Sequence, residues 1–234
     1  MFCYSKIMIK LIIFDWDDVF MLGSTEGYYK CYHEALNGVG VKLDHAEENN
    51  RIKARWGSGH VAQIKDLLRE RPDLIEQAVM LYEKHFFGDT FVDCLRVVPG
   101  SQKLLSELSK RYKLTVATGG HPDILKNRVL PKFDFPDVFA EILTIYDIDD
   151  ITHAKPHPYM INSIMQSQGV LPTETIMVGD ATNDVLMARA AGVEPIVVLT
   201  GQLNKQEAEE LRVTHIIDDV THLSDLLQPP TQIK

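Results

Sequence analysis

Six short and almost continuously apolar segments recur along the chain, and they constrain its fold more than any other feature. They are IKLIIF (9–14), KLTVAT (113–118), EILTIY (141–146), ETIMVG (174–179), PIVVLT (195–200) and THIID (214–218). Apolar runs of this length that do not alternate with polar residues are typical of strands buried on both faces. Segments with helical periodicity separate them, and one of these, 158–169, ends at Gly169, a residue that favours a helix terminus. This alternation predicts an α/β fold with a doubly wound, mainly parallel sheet.

Residues 21–96 interrupt this alternation of strands and helices. They have helical periodicity almost throughout and contain no run that resembles a buried strand. We therefore expect an inserted helical bundle at 21–96, and an α/β core that combines 1–20 with 97–234. The length of 234 residues accommodates one large domain together with a smaller one.

Composition excludes several classes of partner. The formal net charge of −9 argues against nucleic acid or an anionic membrane as the main partner. No apolar run approaches the roughly 18 to 20 residues of a membrane span, so we expect neither a span nor a signal peptide. Three cysteines, Cys3, Cys31 and Cys94, lack metal-ligand spacing and are expected to be free thiols. We expect a cytoplasmic protein, and nothing in the sequence indicates a protein partner.

Polar clusters follow four of the predicted strands. They are Asp15, Asp17 and Asp18 after 9–14; Thr118, Gly119 and Gly120 at the end of 113–118; Lys155 in HAKPHP (153–158) after 141–146; and Asp180 and Asp184 after 174–179. The carboxyl ends of parallel strands lie at one edge of a sheet, which is where ligands bind in open α/β sheets. We therefore expect these side chains to converge on a single site.

The residue types indicate the chemistry of that site. Crowded carboxylates repel one another unless a cation or a proton separates them, and oxygen ligands without a His or Cys pattern favour Mg²⁺ over Zn²⁺. A lysine and a hydroxyl beside such a metal suit a phosphoryl group. An aspartate can attack phosphorus, and a second carboxyl two residues further on can transfer protons.

The four clusters also resemble, in the same order, the four motifs of the haloacid dehalogenase-like hydrolases. The matching segments are DWDDV (15–19), TGG from Thr118, KPHP from Lys155 and GDATND (179–184). The helical insert is similar to the cap of the subgroup that contains phosphoglycolate phosphatases and β-phosphoglucomutases. The resemblance covers essentially the whole chain. It implies a Rossmann-like core with a helical cap, Mg²⁺ as the cofactor and a small phosphorylated metabolite as the substrate.

The resemblance also implies a role for each motif residue. Asp15 would be the nucleophile and a Mg²⁺ ligand, and Asp17 would be the general acid and base and give its backbone carbonyl to the metal. Phosphoryl oxygens would be held by Thr118, Gly119 and Lys155, and the remaining metal ligands would be Asp180 and Asp184, the latter directly or through water. The family usually has glycine where this chain has Asp18, and we expect the Asp18 side chain to face solvent.

Several alternatives remain open. The leading hypothesis is a phosphatase that works through an aspartyl-phosphate, with phosphoglycolate, sugar phosphates and pyrophosphate as candidate substrates. A phosphomutase, or a catalytically silent binding protein on the same fold, is the alternative. His121 and His157 are expected to be solvated loop residues that do not contact substrate. The basic segment RIKARWGSGH (51–60) either meets a second anionic group of the substrate or is a solvated connection between helices.

Overall fold

The computed structural model describes residues 8–55 and 59–227. In this part of the chain, six strands form one sheet in the order β5-β4-β1-β6-β7-β8, and all of its neighbouring strands are parallel. A second sheet pairs the two short strands β2 and β3. The strands are β1 (Leu11–Phe14), β2 (Met21–Leu22), β3 (Arg96–Val97), β4 (Lys113–Thr118), β5 (Phe139–Thr144), β6 (Thr175–Gly179), β7 (Glu194–Val198) and β8 (His215–Ile217). The predicted fold class is confirmed.

Strand β1 lies at the centre of the main sheet. Its four residues are completely buried, and Leu11 is aligned with Lys113 of β4 on one side and Thr175 of β6 on the other. Burial on both faces explains why the sequence of β1 is apolar without alternation. The register places the carboxyl ends of β1, β4 and β6 side by side.

Contacts divide the chain into two compact units, and one of them, Gly23–Arg96, is helical. Its helices are α1 (Ser24–Gly38), α2 (His45–Ala54), α3 (His60–Leu67), α4 (Ile75–Phe87) and α5 (Asp89–Val92), with a 3-10 turn at Pro72–Leu74. The Asp44 side chain accepts hydrogen bonds from the first backbone N–H groups of α2 and thereby starts this helix. Buried aromatic side chains join α1 to α4, with the ring centroids of Tyr32 and Tyr82 4.5 Å apart.

The other unit contains the main sheet and extends up to Leu22 and from Val97 onward. Its helices are α6 (Ser101–Leu108), α7 (Pro122–Ile124), a π-helix (Leu125–Val129), α8 (Leu130–Lys132), α9 (Tyr159–Gln168), α10 (Thr182–Ala190), α11 (Lys205–Glu210) and α12 (Leu223–Leu226). Short 3-10 helices span Ile145–Asp147, Ile151–His153, Pro172–Glu174 and Val220–His222. Helix α9 ends at Gly169, whose φ of 66° confirms the predicted terminator.

Strand β5 ends two residues earlier than predicted. The Thr144 hydroxyl accepts a hydrogen bond from the backbone N–H of Tyr146 at 3.2 Å, and the Asp147 carboxylate accepts one from the N–H of Thr144 at 2.8 Å. This capping arrangement starts a 3-10 helix, so Ile145 and Tyr146 leave the sheet although both favour strands.

Within the described ranges, no helix combines the length and the apolar composition that crossing a membrane requires. Cys31 and Cys94 are buried free thiols. Cys3 lies outside the described residues.

Candidate functional site

Three carboxylates meet at the carboxyl edge of the main sheet. Asp15 follows β1, Asp180 follows β6, and Asp184 lies in the first turn of α10; each offers one oxygen, and these atoms all lie within 4.8 Å of one another. The backbone N–H of Asp15 donates to the carbonyl of Val178 at 2.8 Å, which continues the pairing of β1 with β6 up to the site. Side chains from separate segments of the chain therefore converge here because the parallel register aligns the two strand ends.

Lys155 brings a positive charge to this cluster. Its Nζ lies 2.9 Å from Oδ1 of Asp15 and 2.8 Å from Oδ1 of Asp184. Burial disfavours the charged ammonium, but the neighbouring charges of Asp15 and Asp184 outweigh it and raise the pKa of Lys155 above its usual value. Lys155 is therefore protonated at neutral pH.

One ammonium does not balance the acidic groups. Burial, followed by the charges of Asp184 and Asp15, raises the pKa of Asp180 well above its usual value. Burial also raises the pKa of Asp184 to about 6, even though Lys155 acts in the opposite direction. A divalent cation among these oxygens would remove the repulsion, and carboxylate oxygens are the ligands that Mg²⁺ prefers. The donor set therefore fits this ion.

Asp17 and Thr118 lie together beside the first cluster. The Thr118 hydroxyl accepts a hydrogen bond from the N–H of Gly120 at 3.0 Å. A Cβ built on Gly120 would lie 3.3 Å from Oγ1 of Thr118 and 3.6 Å from Oδ2 of Asp17. A Cβ on Gly119 would meet nothing within 4 Å, so the space at this position, directly after Thr118, is open.

The residue between the two motif aspartates anchors them to the core. Trp16 is buried, and its ring packs 5.3 Å from that of Phe20 and 4.8 Å from that of Phe135. The backbone N–H of Trp16 donates to Oδ1 of Asp15 at 2.7 Å. Asp15 and Asp17 thus project from a turn that a large buried side chain holds in place.

The expectation that Asp18 faces solvent is wrong. Its exposed fraction is 6%, and its φ of 54° lies in the left-handed region. The N–H of Asp18 donates to the carbonyl of Met21 at 2.9 Å, and its own carbonyl accepts the Thr200 hydroxyl at 2.5 Å. The turn is therefore closed from both sides, which keeps Asp18 within the site.

Sequence reasoning missed the residues that make room for the carboxylates. A Cβ on Gly179 would lie 2.5 Å from the carboxyl carbon of Asp184, and a Cβ on Gly201 would overlap the carboxylate of Asp180. The N–H of Gln202 donates to Oδ2 of Asp180 at 2.9 Å. For Gly201 the sequence does carry an indication, because this glycine directly follows the apolar run 195–200, just as Asp15 and Asp180 directly follow apolar runs.

The two site-adjacent histidines make local backbone contacts. Nδ1 of His121 accepts the N–H of Asp123, and Nδ1 of His157 accepts the N–H of Tyr159, both at 3.2 Å. Each histidine therefore shapes the start of a helix, which is a structural role that requires no substrate.

The basic residues of segment 51–60 pair with carboxylates of their own unit. Arg51 contacts Glu47 at 2.5 Å, Arg55 contacts Asp66 at 3.2 Å, and His60 contacts Glu83 at 3.2 Å. These contacts favour the interpretation of the segment as a connection between helices. Trp56 lies outside the described residues.

Known proteins resemble the chain over nearly its full length. The phosphoglycolate phosphatase of Rhodospirillum rubrum is 31% identical over 232 residues, which cover 95% of this chain and 92% of that protein. The phosphoglycolate phosphatase of Photorhabdus laumondii is 28% identical over 230 residues, with 95% and 94% covered. The solved structure of a predicted phosphoglycolate phosphatase from Haemophilus somnus has a TM-score of 0.80 at 20% identity, covers 94% of this chain and 98% of its own, and shows the shared fold.

A family model described as haloacid dehalogenase-like hydrolase matches residues 9–192. This range begins just before β1, contains the site residues on β1, β4 and β6, and extends past α10. The chain belongs to the haloacid dehalogenase-like hydrolases.

Proposed function

We propose that this hydrolase is a Mg²⁺-dependent phosphatase that cleaves a small phosphomonoester through an aspartyl-phosphate on Asp15. The observation that carries the proposal is the position of Lys155, which contacts Asp15 at 2.9 Å within a buried cluster of further carboxylates. An ammonium there restrains the charge of a nucleophilic carboxylate and can bind a phosphoryl oxygen. The names of the two long relatives support the same activity.

Asp15 is oriented for attack by a hydrogen bond and an ion pair. The N–H of Trp16 and the ammonium of Lys155 both contact Oδ1, at 2.7 and 2.9 Å. They fix the rotation of the carboxylate and leave Oδ2 to face phosphorus. In the first step, Oδ2 forms a bond to phosphorus while the bond from phosphorus to the ester oxygen breaks.

Asp17 moves the protons in both steps. In the first step, its carboxyl group gives a proton to the departing ester oxygen, which leaves as an alcohol. In the second step, the resulting carboxylate takes a proton from a water molecule that attacks phosphorus. The bond from phosphorus to Asp15 then breaks, which releases inorganic phosphate and restores both side chains.

The side chains of Asp15, Asp180 and Asp184 and the backbone carbonyl of Asp17 would hold the Mg²⁺ ion. When bound, this ion offsets negative charge on the transferring phosphoryl group. The Thr118 hydroxyl and the open space at Gly119 would receive the phosphoryl oxygens.

We also propose that 1–20 with 97–234 form the catalytic core, that 21–96 act as the cap, and that the enzyme is cytoplasmic.

Phosphoglycolate is the substrate that we propose, because both long relatives are named for it. A silent binding protein on this fold is less well supported, since Asp15, Asp17 and Lys155 are all present. A phosphomutase would use the same residues and would differ in retaining a bisphosphate intermediate.

The test is phosphate release from a panel that contains phosphoglycolate, sugar phosphates and pyrophosphate, with Mg²⁺ and with chelator. Asp15→Asn should lower turnover by at least about a thousandfold. Asp218→Asn is the matched control, because Asp218 is exposed and follows β8 in the same sheet. No release by the folded wild type, or equal loss in both variants, would refute the proposal. Isomerisation of a sugar phosphate that needs added sugar bisphosphate would identify the phosphomutase.

A further inference from the structure

The loop that follows β7 contacts both acidic segments of the site. The hydroxyl of Thr200 donates to the carbonyl of Asp18 at 2.5 Å. Two residues further on, the N–H of Gln202 donates to Oδ2 of Asp180 at 2.9 Å, and the N–H of Leu203 donates to the carbonyl of Asp180 at 2.9 Å. Residues 200–203, which we call the bracing loop, therefore join two segments that are more than 160 positions apart in the sequence.

The first of these segments needs outside support. Asp18 has a φ of 54°, a conformation that a residue with a Cβ adopts at a cost. Its N–H is held by the carbonyl of Met21 at 2.9 Å, and its carbonyl is held by Thr200. Because peptide groups are planar, the direction of the Asp18 N–H also fixes the direction of the Asp17 carbonyl. The two bonds thus set the backbone directly after Asp15 and Asp17.

The second segment is packed against the bracing loop without free space. Gly201 has no side chain, and a Cβ there would overlap the carboxylate of Asp180. Because the same short loop is bonded to Asp18 and to Asp180, it holds the turn after β1 and the residue after β6 at a fixed separation.

We propose that the bracing loop sets the geometry of the metal site, and that Thr200 is a positioning residue for cation binding. This proposal rests on one part of the proposed function, namely that Asp15, Asp17 and Asp180 bind a divalent cation. Thr200 itself is directed at a backbone carbonyl, so its contribution is to hold the turn that carries Asp15 and Asp17.

The test measures the dissociation constant of Mg²⁺ alone by calorimetry, together with thermal unfolding in chelator. Thr200→Val removes the hydroxyl at nearly constant volume and should weaken Mg²⁺ binding about threefold to tenfold, the effect of one hydrogen bond. Thr200→Ser keeps the hydroxyl and should bind Mg²⁺ within about twofold of the wild type. If Thr200→Val does not fold, Thr200→Ala provides the same deletion.

Thr175→Val is the matched control. The Thr175 hydroxyl is also buried and donates to a backbone carbonyl, that of Leu171 at 3.0 Å, but it lies at the opposite end of β6. This variant should lose stability without any change in Mg²⁺ affinity. Unchanged affinity in Thr200→Val, or equal weakening in both Val variants, would overturn the proposal.

Failure of the proposed function gives a different result. In that case the wild type binds Mg²⁺ but releases no phosphate from any substrate, and the ratio of Mg²⁺ affinities still decides the role of Thr200. Absence of Mg²⁺ binding by the wild type would overturn both proposals.

Discussion

Replacement of Lys155 by methionine tests the charge balance of the site directly. The substitution keeps most of the buried chain but removes the ammonium that lies 2.9 Å from Asp15 and 2.8 Å from Asp184. Removing one partner of a buried ion pair is strongly destabilising, because the remaining charges stay buried without compensation. We expect the metal-free variant to be less stable than the metal-free wild type, by an amount that depends on pH.

The pKa of Asp184 sets the size of this effect. Burial raises it from 3.8 to about 6 with Lys155 in place. At about pH 7.5, ionised Asp184 therefore already costs the folded wild type about 3 kcal/mol. Without Lys155, keeping Asp184 ionised in the folded protein costs more. This cost cannot exceed the free energy of protonating the carboxyl, which is about 5 kcal/mol at this pH, because Asp184 would then take up a proton instead. The added destabilisation from Asp184 is thus at most about 2 kcal/mol, and with Asp15, which loses the same partner, we expect a total of at most about 3 kcal/mol.

The sign of the pH dependence follows from the same shift. Because the pKa of Asp184 is higher in the folded than in the unfolded protein, the metal-free protein loses stability as the pH rises from about 4 to about 6. In the Lys155→Met variant the pH range over which stability is lost extends to higher pH, because Lys155 no longer lowers the pKa of Asp184. At about pH 5, Asp184 is largely protonated in both folded proteins, so the difference between them should fall below about 1 kcal/mol.

Urea unfolding in chelator at about pH 5 and about pH 7.5 measures these free energies. Lys10→Met is the matched control, because Lys10 is 53% exposed and its pair with Glu174 is a surface ion pair worth at most about 1 kcal/mol. Equal destabilisation by the two substitutions at about pH 7.5 would refute the reasoning, as would a Lys155→Met effect that does not change between the two pH values.

Three further predictions concern the metal, the packing and the thiols. Saturating Mg²⁺ should raise the unfolding temperature more at about pH 8 than at about pH 5, because Asp180 and Asp184 must be ionised to bind it; equal shifts would contradict this. Gly179→Ala should cost about 1 to 3 kcal/mol in urea unfolding and weaken Mg²⁺ binding, because the new Cβ would lie 2.5 Å from the Asp184 carboxyl carbon; a cost near zero would contradict this. Burial raises the pKa of Cys31 to about 12, so iodoacetamide should label this thiol only after unfolding, and mass spectrometry of the native protein would show any earlier reaction.

The fold and the proximity of Asp15 and Asp180 could be anticipated from the sequence for one physical reason. Strands buried on both faces are apolar throughout, which makes them recognisable, and parallel pairing places their carboxyl ends at one edge. The location of these residues therefore depends mainly on backbone pairing, which the pattern of apolar residues reports.

The bracing loop could not be anticipated in the same way. The predicted strand 195–200 extends through Thr200, but β7 ends at Val198. Leu199 still donates its N–H to the carbonyl of Ile217 at 3.0 Å, so the chain leaves the sheet gradually and keeps residues that favour strands. The apolar run places Gly201 after a predicted strand, but it does not show that Thr200 has already left the sheet, and the contacts with Asp18 and Asp180 become visible only in three dimensions.

Asp18 shows why the burial of a charged residue resists prediction from sequence. Taken alone, an aspartate in a turn is most stable in water, since burying its charge is costly. Here Met21 and Thr200 fix the backbone of Asp18, and the residue is buried. The charges of Asp15 and Asp18 act on the carboxylate of Asp180 after β6 and favour its protonated form, whereas Asp17 lies near Thr118. The aspartates after β1 and β6 therefore raise the cost of burying one another, and a divalent cation bound among them would lower that cost.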